Sequence, residues 1–182
     1  MKINVVSIFT DHLKTLRHYE PDKSLEQDSS PRLSREDVLI FFIAPALLAT
    51  TGIVLGANLD KDTYGMSISV FAIFSGLLLN VQIALFSVYQ RSWTSLTDRN
   101  LDEIQQRQLT QRNDLLSEVN TNISYLIIVS CASVSIFFIA YMMKTVSISM
   151  SFFSLYIYAH FLLTLLMVIK RAHALFDNEY SK

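Results

Sequence analysis

Residues 101–143 read LDEIQQRQLTQRNDLLSEVNTNISYLIIVSCASVSIFFIAYMM, and neither glycine nor proline interrupts them. Nothing in the run stops a helix, and Asn100-Leu101-Asp102-Glu103 at its head is a capping signature. From Ile123 to Met143 no side chain is charged, which matches the roughly 20 apolar residues that a ~30 Å hydrocarbon slab asks of a helix. One continuous helix over the whole run extends on the order of 65 Å at ~1.5 Å per residue. That is about twice the slab, so the run predicts a membrane span with a long helical projection on one side.

Three further stretches lack charge over a similar length: Val38–Ala57, Met66–Tyr89 and Val146–Ile169. Composition agrees, with 51% of residues hydrophobic and only 17% charged, an imbalance unusual for a soluble domain. The expected fold is all-α: an integral membrane four-helix bundle spanning at 38–57, 66–89, 123–143 and 146–169. A helical extension, 90–122, lies between the second and third spans. Residues 1–33 stand apart as an amphipathic helix and linker, and 34–182 make the membrane domain.

Basic residues orient the spans. Lys2, Lys14, Arg17, Lys23, Arg32 and Arg35 precede the first span; Arg91, Arg99, Arg107 and Arg112 lie in the 90–122 connection; Lys170, Arg171 and Lys182 follow the last span. Only Lys61 and Lys144 fall in the other two connections. The positive-inside rule then places both termini and the 90–122 extension in the cytoplasm. Tyr89 and Trp93 at one edge, with Tyr64 and Tyr141 at the other, suit the interfacial positions such rings prefer. The expected location is the bacterial inner membrane, as a multi-pass protein.

Local chemistry refines the helices. Ser34-Arg35-Glu36-Asp37, just after Pro31, caps the first span and starts it near Arg35. Pro45 removes one backbone hydrogen bond within that helix and should bend it. Val5, Phe9, Leu13 and Leu16 recur at helical spacing, so the N-terminal segment either lies on the inner leaflet or docks on protein. Met1–Phe9 is too short an apolar stretch for a cleavable signal and is expected to be retained. Glu20–Leu33, rich in Pro, Asp and Ser, reads as a linker.

In the second span Gly65, Ser69, Ala72, Gly76, Asn80, Ala84 and Ser87 form one face of small and polar groups, suited to close helix contact. Gly52 and Gly56 make a GxxxG pattern in the first span; it marks either a subunit contact or the seat of an intramolecular neighbour. Asn80 and Gln82 point in different directions and each needs a partner. His160, with Tyr156 and Thr164 one turn to either side, is read as a neutral histidine bonded to one of those hydroxyls, or as a proton relay. Asn80, Gln82 and His160 are together the candidate polar intramembrane site, and the serines of the last two spans should bond back to carbonyls four residues earlier. Phe9 and Leu13 of the N-terminal helix, with Leu101, Ile104, Leu115 and Val119 of the extension, are the candidate docking residues. The alternative for the extension is a solvated stalk packed on the inner end of the second span.

Several functions are excluded by what the residues lack. There is no phosphate-binding glycine loop, HExxH or GxSxG, and the four glycines all lie in or beside spans. The four histidines are scattered without a cysteine framework, so neither a metal nor another cofactor is expected. Lone Cys131 makes no internal disulfide. Mixed charge in the extension argues against a nucleic-acid groove, and no carboxylate inside a span offers a transport site. A non-enzymatic chain with no small-molecule substrate remains.

The amphipathic start, the proline-bent first span and a four-helix body of this length resemble the membrane subunits of the Kiwa anti-phage system, KwaA. No functional residue is carried over from them. The resemblance implies a homo-oligomeric inner-membrane sensor that holds a soluble, DNA-binding subunit of the KwaB kind at its cytoplasmic face. Two other readings stay open. One is a pore-forming or membrane-disrupting effector whose conduction path takes Asn80, Gln82 and His160; the other is an anchor or transport accessory subunit.

Overall fold

The computed structural model describes residues 5–15, 35–96, 103–143 and 147–180. They form five helices and no strand: α1 (Val5–Thr15), α2 (Arg35–Val54), α3 (Lys61–Leu96), α4 (Glu103–Met143) and α5 (Ile148–Tyr180). Three of these, over Lys61–Gln90, Gln108–Met143 and Ile148–His173, are long and apolar enough to cross a membrane. The expected linker, the Ser34 and Asn100 caps, Leu101 and the side chains of Ile104 and Trp93 lie outside the described residues.

The first expected span differs from its sequence reading. Its apolar run among the described residues is Ile40–Val54, and the helix stops at Val54 instead of reaching Ala57. Gly56 explains the stop. With φ at +85°, it takes the left-handed conformation that a glycine adopts without a Cβ penalty. Ala57 N–H then bonds back to Gly52 O at 2.9 Å, and Gly56 N–H to Ile53 O at 3.0 Å, the paired bonds of a Schellman cap. The chain re-enters the helical state at Asp60, whose carboxylate accepts from the Thr63 N–H at 2.9 Å and from the Thr63 hydroxyl. Those two bonds hold the Asp60 carboxyl below its ordinary pKa.

Packing follows a row more than a ring. α3 lies along α4, α4 against α5, and α5 against α2, with α1 docked on α4. Side chains of α3 and α5 also meet, so α3, α4 and α5 form a three-helix core and α2 is laid on the α5 side. Phe71 is the centre of that core. Its ring lies 5.6 Å from Phe137, 5.7 Å from Tyr158 and 5.1 Å from Phe161, within the range of favourable aromatic pairs. Leu78, Ile123, Leu126 and Val168 extend the same cluster.

Small and hydroxylated residues let the helices approach. Ser130, Ser133 and Ser154 are buried and bond back to Leu126, Val129 and Met150 carbonyls at 2.7–2.8 Å. Ser151 instead accepts from the Leu59 N–H at 3.3 Å, tying the α2–α3 turn to α5. Gln82 donates to Ser124 Oγ at 2.7 Å, and Ser67 shares a hydrogen bond with Tyr158. Each such bond is worth on the order of 0.6 kcal/mol in a membrane interior. At the α2–α3 turn end, Gly65 lies beside the Tyr141 ring, which a Cβ there would meet at an ordinary contact distance of 3.5 Å; Lys61 Nζ sits 4.5 Å above that ring.

The outer surface is apolar. Met66, Ile73, Ile83 and Phe86 of α3, Phe138 and Met142 of α4, and Leu162 and Leu166 of α5 are all exposed, the reverse of a water-soluble bundle. α4, with 41 residues, runs roughly 61 Å at ~1.5 Å per residue, and α3, with 36, roughly 54 Å; each is longer than a ~30 Å hydrocarbon slab.

Candidate functional site

A chain of polar groups begins at Pro45. A proline has no N–H, so the carbonyl four residues earlier, that of Phe41, loses its intrahelical donor. His160 of α5 supplies the replacement: its Nδ1 lies 3.2 Å from Phe41 O. With Nδ1–H donating, Nε2 is the acceptor, and the Tyr125 hydroxyl of α4 donates to it at 2.7 Å. His160 is buried, flanked by the parallel ring of Tyr156 at 6.0 Å. Thr164, by contrast, turns its hydroxyl to His160 O. The hydroxyl that satisfies the imidazole therefore comes from another helix and not from Tyr156 or Thr164.

The Tyr125 ring carries the chain on to α1. His12 stacks on it at 3.9 Å with the planes 5° apart, and Phe9 meets its edge at 5.0 Å. His12 Nδ1 lies 2.7 Å from Asn122 Oδ1, which also accepts from the Thr15 hydroxyl at 2.8 Å. Asn122 is wholly buried and His12 is 1% exposed. Arg171 of α5 donates to Thr15 O at the C-terminus of α1, where a cation also suits the helix dipole. Its other nitrogen stands 3.0 Å from Glu118 of α4, as a charge contact and not an aligned hydrogen bond.

One connected set of side chains thus joins α2, α5, α4 and α1. Burial pushes the His12 imidazole down to about 4; the Asn122 bond opposes this in part, while His160 and Arg171 add to it. His12 Nε2 and Asn122 Nδ2 are buried with no hydrogen-bond partner, and protonating His12 would place a buried cation near half-buried Arg171. The set binds helices and holds His12 neutral. Among the described residues no group of His, Cys, Asp and Glu forms a metal site.

The residues singled out from sequence fall in different places. Ser69, Ala72, Gly76 and Asn80 all face outward from the chain, and nothing stands within 4 Å of a Cβ added at Gly76. Gly52 seats an intramolecular neighbour, with Leu155 Cδ1 3.0 Å from its added Cβ. A Cβ added at Gly56 would meet nothing within 4 Å; its conformation and not its size is what the chain uses. Gln82 bonds α4, so Gln82 and His160 each point into the chain while Asn80 points out of it. Val119 is 1% exposed and belongs to the core; it is therefore closed to a docking partner. Leu115 is half-buried, and Phe9 and Leu13 are exposed. Sequence reading passed over His12, Asn122 and Tyr125. The one signal that reached toward them was Pro45, which announces an orphaned carbonyl needing a donor from a neighbouring helix. No family model, curated protein or solved structure matches this chain.

Proposed function

We propose that the chain is a non-enzymatic, self-associating scaffold of the bacterial inner membrane, with both termini and the α3–α4 overhang in the cytoplasm, where it holds a soluble effector protein. The resemblance to the Kiwa membrane subunits gives this scaffold its setting, anti-phage defence. The observation that carries the reading is helix length: α3, with 36 residues, and α4, with 41, run roughly 54 and 61 Å at ~1.5 Å per residue, well past the ~30 Å that a bilayer requires. The exposed side of the α4 overhang is polar, built from Gln106, Gln108, Gln111, Asp114 and Ser117, and so offers hydrogen-bonding groups to a soluble protein. Leu115, half-buried, borders that side. Self-association is assigned to the outward face of α3, where Ser69, Ala72 and Gly76 permit close backbone approach and Asn80 needs a partner. The pore reading loses support because Gln82 and His160 are consumed by bonds within one chain.

Co-expression with the soluble products of adjacent genes tests the scaffold. One of them should co-purify with the intact chain and be lost from Gln108→Arg/Gln111→Arg, while membrane insertion is unchanged. Retention of the partner by that double variant would remove the overhang from the contact, and ion flux through liposomes holding the chain alone would restore the pore.

A further inference from the structure

Helix α1 has three faces, where an ordinary surface helix has two. At about 100° per residue, Ile8, His12 and Thr15 share one arc; His12 and Thr15 are buried against α4 and Ile8 is half-buried. Thr10 stands opposite that arc, and Ser7 and Asp11 carry a polar surface from it round one flank to Thr15; all three are exposed. On the other flank, between the buried arc and Thr10, lie Phe9 and Leu13, 42% and 37% exposed. The helix therefore turns its polar His12 and Thr15 toward protein and leaves two large apolar side chains outside, an arrangement that water does not favour.

Depth explains it. α1 docks at Asn122 and Tyr125, and α4 from Tyr125 to Met143 measures roughly 27 Å at ~1.5 Å per residue. That is close to the ~30 Å of the hydrocarbon slab, so the docking point stands at its α1-side edge. Arg171, which holds the C-terminus of α1 and pairs with Glu118, and exposed Lys170 place charge about two turns beyond that edge, as a water-facing boundary requires. Exposed Phe42 of α2 stands at the level of Phe9, through His160 and Tyr125, which link the two rings. From these observations we infer that α1 lies at a three-way junction: His12 and Thr15 against protein, Ser7, Thr10 and Asp11 in water, and Phe9 and Leu13 in the acyl chains of the adjoining leaflet. In the proposed orientation this is the inner leaflet. The occupant of the Phe9/Leu13 flank is lipid, and the inference does not depend on any soluble partner.

Tryptophan quenching in phosphatidylcholine liposomes containing only this full-length chain tests the assignment. In a background with Trp93→Phe, Leu13→Trp should be quenched severalfold more by brominated acyl chains than by aqueous iodide, and Thr10→Trp should show the reverse. Phe9→Trp preserves an aromatic ring against Tyr125 and should follow Leu13→Trp, which guards against a misfolded leucine variant. Iodide quenching of positions 9 and 13 equal to that of position 10 would put the flank in water and overturn the inference. Insensitivity of both to either quencher would overturn it as well, because a protein surface would then cover them.

Discussion

At the scale of single residues, His12 carries the sharpest consequence. In an undocked α1 its imidazole keeps the ordinary pKa of 6.5, and docked it falls to about 4. Between those values the docked state binds fewer protons, so docking is at full strength above about pH 6.5. It weakens as pH falls toward about 4, by up to a factor of ~10 per pH unit, and levels off below. Hydrogen exchange of the Val5–Thr15 amides across this range checks the sign; His12→Asn keeps a donor for Asn122 and should flatten the profile. Asn122 itself accepts from two buried donors. Asn122→Ala leaves the buried His12 N–H without a partner, while the Thr15 hydroxyl keeps the His12 carbonyl at 2.7 Å; the loss should cost about 1–3 kcal/mol of α1 docking, read as lost protection in the same segment at neutral pH. Local spacing does not reveal this pairing, since Asn122 is far from His12 in sequence and only tertiary packing brings them together.

Helix ends show how much of an element is written locally. The unbroken course of α4 follows from the absence of glycine and proline, and the structure has one helix over Glu103–Met143. In sequence Gly56 is half of a contact motif, because a glycine pair four apart carries no mark of which duty each performs. Backbone conformation separates them: Gly52 is small for Leu155, and Gly56 is left-handed for the turn. The expected outcomes differ accordingly. Gly56→Ala should cost about 1–2 kcal/mol from the left-handed strain, whereas Gly52→Leu must displace Leu155 and should detach α2 from α5. Gly76→Leu meets nothing in the chain, so it should leave monomer stability unchanged and weaken self-association alone. Thermal unfolding in detergent, paired with mass measurement of the detergent-bound oligomer, distinguishes the three; a Gly76→Leu protein that keeps the wild-type oligomer would take α3 out of the subunit contact.

For the whole molecule, the decisive balance is between apolar length and the placement of charge. Three long apolar helices were legible because charge vanishes over a bilayer's thickness. The row-like packing was not, because lipid-facing and helix-facing apolar residues look alike when both sides are oily. Orientation rests on the flanking Lys and Arg, all but Lys61 and Lys144 of which fall before the first span, in the 90–122 connection or after the last span, the segments that the positive-inside rule assigns to the cytoplasm. A cysteine map tests this directly. With Cys131→Ala removing the one native thiol, Asn58→Cys in the exposed α2–α3 turn should react with a membrane-impermeant maleimide on intact spheroplasts. Gln108→Cys on the α4 overhang should react only after the membrane is opened. The opposite pattern would place the overhang outside the cell, where no cytoplasmic effector can reach it, and would leave the bundle's internal geometry untouched while removing the proposed function.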